Sequence, residues 1–166
     1  MARQQPAEID PDGVAMIVDA IMTEGYVLKD FSPITDEETE AVYAQAFNLV
    51  NQRQYERAEK LFEMLCQLDH FEAKFWMGLG ICRQQKKSFE QAVKAYAMVG
   101  MLDQENPMPA LRAAECYMAL QQWEPAESGL IATLHWAGAR PQYQEARARA
   151  SALLEVLERR KESGDG

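Results

Sequence analysis

The chain has 166 residues, enough for about one domain whose core needs no metal or disulfide to fold. With 48% hydrophobic and 26% charged residues its composition is globular rather than disordered. Seventeen Lys and Arg against 26 Asp and Glu leave a net charge of −9, the wrong sign for a phosphate-binding face, so no nucleic-acid partner is expected.

No apolar run reaches the roughly 20 residues that span a bilayer, and residues 1–8 lack the apolar stretch of a secretory signal. A cytoplasmic protein without direct membrane anchoring is expected. The first predicted element follows Asp10-Pro11, an N-cap with proline at the first helical position. Val14, Ile17, Val18, Ile21 and Met22 then recur at helical spacing, up to a C-cap glycine, Gly25. This stripe could fold back on the rest of the chain or pair with a second copy. Residues 1–40 hold ten acidic and two basic side chains, a net of −8. An acidic arm of that kind fits self-solubilisation or a basic partner better than catalysis.

Thr35-Asp36-Glu37-Glu38 reads as a capping box that opens the next helix. A repeat follows. Tyr55-Glu56-Arg57-Ala58, Phe89-Glu90-Gln91-Ala92 and Trp123-Glu124-Pro125-Ala126 place their alanines 34 residues apart. Twelve residues before each alanine stands a small residue (Ala46, Gly80, Ala114), and four after it a large one (Phe62, Tyr96, Leu130). That period and register define the tetratricopeptide pattern, and Trp76-Met77-Gly78-Leu79-Gly80 matches its opening motif. Each unit is a pair of antiparallel helices that approach closely only where both carry small residues. The expected fold is therefore all-α. Three helix pairs at about 39–72, 73–106 and 107–140 (together residues 35–140) follow an N-terminal arm over 1–34. Pro107 and Pro125 fall in helix first turns, where proline is tolerated. A last helix over 141–161, with Tyr143, Ala146, Ala150, Leu153, Leu154 and Leu157 on one stripe, caps the stack, and the tail to Gly166 frays.

In such a solenoid the first helix of each pair faces the concave side. The positions expected there are Glu40, Tyr43, Phe47 and Val50, then Lys74, Met77, Ile81 and Gln84, then Met108, Leu111, Glu115 and Met118. Most are apolar, as a groove for an extended apolar peptide requires. A stripe of this kind is commonly core. Here the Ala, Gly and aromatic register already accounts for the core, leaving a second apolar face that is either buried or a binding surface. The methionines add plasticity.

No catalytic or metal-binding constellation is legible, and no cofactor is expected. Cys66, Cys82 and Cys116 sit among apolar residues as small buried hydrophobes. Cys66 and His70 are four apart, but no second pair completes a tetrahedral site. Gly78-Leu79-Gly80 lacks the rest of a dinucleotide fingerprint. His70 and His135 are far apart, and Asp36-Glu37-Glu38 belongs to a helix first turn.

Three such repeats between a helical arm and a terminal helix resemble the class II chaperones of bacterial type III secretion, of the LcrH/SycD and SicA/IpgC type. The resemblance runs over about residues 12–158. It is carried by Val42-Tyr43-Ala44-Gln45-Ala46-Phe47, by Ala58-Glu59-Lys60-Leu61-Phe62, by Phe75-Trp76-Met77-Gly78-Leu79-Gly80-Ile81-Cys82 and by Ala113-Ala114-Glu115-Cys116-Tyr117. In the arm, Glu24-Gly25-Tyr26-Val27-Leu28 stands where the family often has a Gly-Gly-Thr-Leu-like turn. The resemblance implies an ATP-independent cytoplasmic chaperone for two hydrophobic translocator proteins. Tyr43, Phe47, Val50, Met77 and Ile81 would form the client pockets, continued by Leu111 and Met118. It also implies a homodimer and, in some relatives, a transcriptional activator as a further partner. A general tetratricopeptide adaptor or a cofactor of a transcriptional activator is the alternative reading. If Val14, Ile17, Val18 and Ile21 pair two copies, a chain lacking residues 1–30 is monomeric by light scattering while the full chain is dimeric. An unchanged oligomer mass sinks the pairing.

Overall fold

The structure is a computed structural model that describes residues 33–164. The predicted arm helix, with Val14, Ile17, Val18 and Ile21, lies outside the described residues. Seven α-helices run in order among the described residues: α1 (Asp36–Asn51), α2 (Tyr55–Leu68), α3 (Ala73–Gln85), α4 (Phe89–Leu102), α5 (Met108–Ala119), α6 (Trp123–Ala137) and α7 (Gln144–Glu162). Each packs on the next, and the six from α1 to α6 form the three expected tetratricopeptide pairs.

Local chemistry sets the helix ends. At the start of α1 the Glu38 amide donates to Thr35 Oγ1 at 3.2 Å, while the Thr35 amide donates to the Glu38 carboxylate at 2.8 Å. The Thr35 amide and, at 3.1 Å, the Thr35 hydroxyl both donate to the Glu38 carboxylate and hold it below its ordinary pKa. The turns inside the three pairs are copies of one another. Arg53, Lys87 and Gln121, each 34 residues from the next, take positive φ of 58°, 64° and 59°. The amide of the following residue reaches back five positions: Gln54 to the Leu49 carbonyl at 2.8 Å, Ser88 to Arg83 at 2.8 Å, Gln122 to Tyr117 at 2.9 Å. This is the Schellman closure, and it terminates each first helix where the chain must reverse.

Packing follows the 34-residue register. Ala46, Ala58, Ala92, Ala114 and Ala126 are fully buried, and Gly80 is buried with them. Phe62, Tyr96 and Leu130 are buried beside them. The glycines are sized by rings. A Cβ on Gly80 would lie 2.5 Å from the Tyr96 ring, and one on Gly78 would lie 2.2 Å from Phe62. The first contact is within a pair and the second joins one pair to the next. The Tyr96 ring is fixed at its far end, where its hydroxyl donates to Gln84 Oε1 at 2.6 Å. Leu65, Phe75 and Leu79 continue the core at the α1–α3 end, and Leu111, Leu130 and Leu157 at the α5–α7 end.

The last helix differs from expectation at its start. Arg140 is extended before Pro141, a 3-10 turn spans Pro141–Tyr143, and α7 proper begins at Gln144. It then buries Ala146, Ala150 and Leu157, with Tyr143, Leu153 and Leu154 alongside. The Arg160 guanidinium lies 4.0 Å from the centroid of the Trp123 ring. Ion pairs repeat the register: Glu40 with Lys74, Glu115 with Arg149, and Glu127 with Lys161 each join residues 34 apart. One substitution reads this packing with opposite signs. Gly80→Ala drives a methyl into Tyr96 and is expected to lower stability by about 1–3 kcal/mol. Gly100→Ala, where an added Cβ meets nothing within 4 Å, is expected to raise it by about 0.5–1 kcal/mol. Urea denaturation of both variants measures the difference.

Candidate binding groove

The first helices of the pairs present one shared face. Glu40, Tyr43, Phe47 and Val50 recur at three- and four-residue steps and so occupy one side of α1, as do Lys74, Met77, Ile81 and Gln84 on α3. Side-chain bonds join these faces across the stack: Lys74 to Glu40 between α3 and α1, Gln84 Nε2 to Glu115 Oε2 at 3.1 Å between α3 and α5, and Arg149 to Glu115 between α7 and α5. No side-chain hydrogen bond or ion pair among the described residues joins α2 to α4 or α4 to α6 in this way. The bonded face α1–α3–α5–α7 is the groove side, and the relay Tyr96–Gln84–Glu115–Arg149 ties it to the buried core.

The α1–α3 half is aromatic. Tyr43 is half-buried, with ring centroids of Phe75 at 5.8 Å, Phe62 at 6.1 Å and Phe47 at 6.4 Å. The Lys74 ammonium stands 4.8 Å over the Tyr43 ring and 5.5 Å over Phe75. The bond to Glu40 raises the Lys74 pKa, so the cation over the rings persists to high pH. Phe47 is 51% exposed and rises from this cluster, the surface a binding site leaves open. Val50 is half-buried against the α1–α3 core, and Met77 and Ile81 are half-buried against Ala92, Tyr96 and Cys116. Five of the seven expected client residues thus stand on α1 and α3, Tyr43 and Val50 on one core cluster and Met77 and Ile81 on another.

The α5–α7 half is different in kind. A cavity of about 630 Å³ opens there, floored by Met108, Leu111 and Ala146 and walled by Gln84, Arg112 and Arg149 among other polar side chains. Leu111 is only 3% exposed and belongs chiefly to the core of α5–α7. Met118 is half-buried against the same core. Leu111 therefore presents little surface, because the terminal helix α7 covers its side of α5, while Met118 is half-buried as Met77 and Ile81 are. The polar wall was not anticipated from composition. Its signal lay in the 34-residue pairing of opposite charges, Glu40 with Lys74 and Glu115 with Arg149.

The remaining reactive side chains are structural. Burial pushes the Cys66 and Cys82 thiols up to about 12 and Cys116 to about 11, so none is a thiolate at neutral pH. Burial raises Glu59, but hydrogen bonds from Lys86 and Arg83 outweigh it and hold the carboxyl below its usual range. The His70 ring lies tilted against Phe71 and the His70 backbone carbonyl accepts the Trp76 indole N–H at 2.9 Å, while His135 meets Trp136 edge to face. Among the described residues no three His, Cys, Asp or Glu side chains converge as a metal site requires. No described helix is long and apolar enough to cross a membrane.

Comparison with known proteins agrees with this architecture. The tetratricopeptide repeat family matches residues 85–150. The chain is 30% identical over 158 residues to low calcium response locus protein H of Yersinia pseudotuberculosis, covering 95% of this chain and 94% of that one. Among solved structures, Pseudomonas aeruginosa PcrH bound to the chaperone-binding region of PopD superposes with a TM-score of 0.76 at 36% identity, over 78% of this chain and 97% of PcrH. PcrH has also been solved with the corresponding region of PopB. The Yersinia enterocolitica type III secretion chaperone SycD, in complex with a peptide of the translocator YopD, superposes with a TM-score of 0.76 at 33% identity, over 78% of this chain and 99% of SycD. With a tetratricopeptide stack, a groove on its first helices and relatives that match it nearly end to end, the chain belongs to the family of type III secretion translocator chaperones.

Proposed function

We propose that this protein is an ATP-independent chaperone in the bacterial cytoplasm. It keeps the hydrophobic translocator proteins of a type III secretion system soluble before export. The observation that carries this reading is the aromatic cluster on α1, where a half-exposed Phe47 stands beside Tyr43, with Val50 on the same helix and Met77 and Ile81 half-buried on α3. An extended client segment with spaced apolar side chains lies across α1 and α3 and fills the space between them. The complexes of PcrH with regions of PopD and PopB, and of SycD with a YopD peptide, support both the mode and the class of client. Two copies associate through the arm stripe Val14, Ile17, Val18 and Ile21.

The energetics follow from burial. Each square ångström of apolar client surface removed from water contributes about 25 cal/mol, and ordering the client chain offsets much of it. Affinity is therefore moderate, as a complex that must release its cargo at the export machinery requires. The low-pKa nucleophile or paired base of an enzyme plays no part in this mechanism. Phe47→Glu removes one anchor and adds a charge beside the Tyr43 ring, and Ile81→Glu does the same on α3. Each variant is expected to weaken client binding by at least about tenfold while the helical circular dichroism spectrum stays unchanged. Co-purification of either variant with the client at wild-type yield would place the client elsewhere.

A further inference from the structure

The α5–α7 cavity carries a side chain that the fold leaves without a partner. Arg112 stands on α5 one turn after Met108 and lines the cavity, half-buried. It makes no hydrogen bond and no ion pair with any described residue. The two carboxylates near it are differently placed. Glu115 is engaged on both oxygens, by Gln84 Nε2 at 3.1 Å and by Arg149. Glu145 lines the same cavity but is exposed to solvent and outside ion-pair distance of Arg112. A guanidinium held in a concave site, with its neighbouring carboxylate already satisfied, has a fixed fork of donors and no acceptor to fill it. The cavity of about 630 Å³ leaves room for one to enter.

We infer that Arg112 is a specificity residue for the client segment: it receives a carboxylate side chain of that segment, an Asp or Glu lying beyond the apolar anchors seated on α1 and α3. The inference rests on the chaperone reading above and deepens it. The client would be read by two chemistries along one groove, apolar side chains at the α1–α3 end and a single anion at the α5–α7 end. Glu115 has a positioning part, because its bonds to Gln84 and Arg149 occupy both its oxygens and join α3, α5 and α7 around the cavity. A partly desolvated pair of this kind discriminates more strongly than one in open water, since a neutral or cationic client residue leaves Arg112 unpaired in the cavity.

The test starts from the complex isolated from the native host. The client segment protected from protease while bound is identified by mass spectrometry and synthesised with a fluorophore. Its Kd is measured by fluorescence anisotropy at 50, 150 and 500 mM NaCl. Arg112→Gln is expected to weaken binding at least tenfold at 50 mM and to flatten the salt dependence. Arg112→Lys, which keeps the charge, retains most of that dependence. Replacing one particular Asp or Glu of the segment by its amide should weaken wild-type binding to the same extent and cause no further loss in Arg112→Gln. Thermal melts of each variant exclude loss of fold. Arg112→Gln binding within twofold of wild type, additive losses, or a protected segment without a carboxylate would each overturn the assignment while leaving the chaperone reading intact. Recovery of only soluble partners, with no membrane-segment client, would remove both.

Discussion

The close approach of helices at a glycine or alanine is the constraint on which the rest depends. Phe62 lies over Gly78 and Tyr96 over Gly80, at distances where a single added methyl overlaps the ring. One contact closes a helix pair and the other stacks successive pairs, so α3 is gripped from both sides by aromatic groups. That grip sets the spacing of the first helices. The spacing in turn allows Glu40 to reach Lys74 and Gln84 to reach Glu115 across the stack. The groove is a consequence of core packing, and its width is decided by side chains that never touch its surface.

Within that frame the two ends of the groove differ because their neighbours differ. At the α1–α3 end the face is lined by rings and half-buried aliphatic side chains, with one lysine laid over Tyr43 and held there by Glu40. At the α5–α7 end the terminal helix contributes Ala146 to the floor and Arg149 to the wall, and the apolar side chains of α5 are drawn beneath it. A helix that closes a stack must satisfy the core on one side and water on the other. Polar character at that end of the groove is therefore part of closing the solenoid.

The repeat and its core were legible in the sequence because they rest on a strict period. Alanines at 58, 92 and 126 with large residues four places later leave few alternatives, and the Thr35–Glu38 cap and the Pro107 boundary are local rules that tertiary structure did not override. The aromatic cluster around Tyr43 was legible for the same reason, from helical spacing on α1 and α3. The burial of Leu111 was not, since it depends on how α7 lies against α5, a long-range contact with no local signature. Arg112 was missed because it stands one residue away from the groove positions the repeat predicts, beside a cavity that exists only once α7 is in place. The positive φ of Arg53, Lys87 and Gln121 was also hidden. Glycine is the usual marker of such a turn, and here the Schellman bonds hold residues with long side chains in the same conformation.

One feature of α7 reaches further. Counted in the 34-residue period it begins where a fourth first helix would begin, yet it runs unbroken through Glu155, the register of the turn residues Arg53, Lys87 and Gln121. The stack therefore ends on a straight rod rather than on another hairpin, and the groove face is limited to four helices. At about 10 Å between neighbouring axes that face is about 30 Å long, the reach of roughly nine residues of extended chain. Such a groove is a gauge of fixed length. It engages a short linear stretch of its cargo and leaves the remainder of a large polypeptide unmeasured, so recognition requires no folded client and is compatible with a chain that must later be threaded.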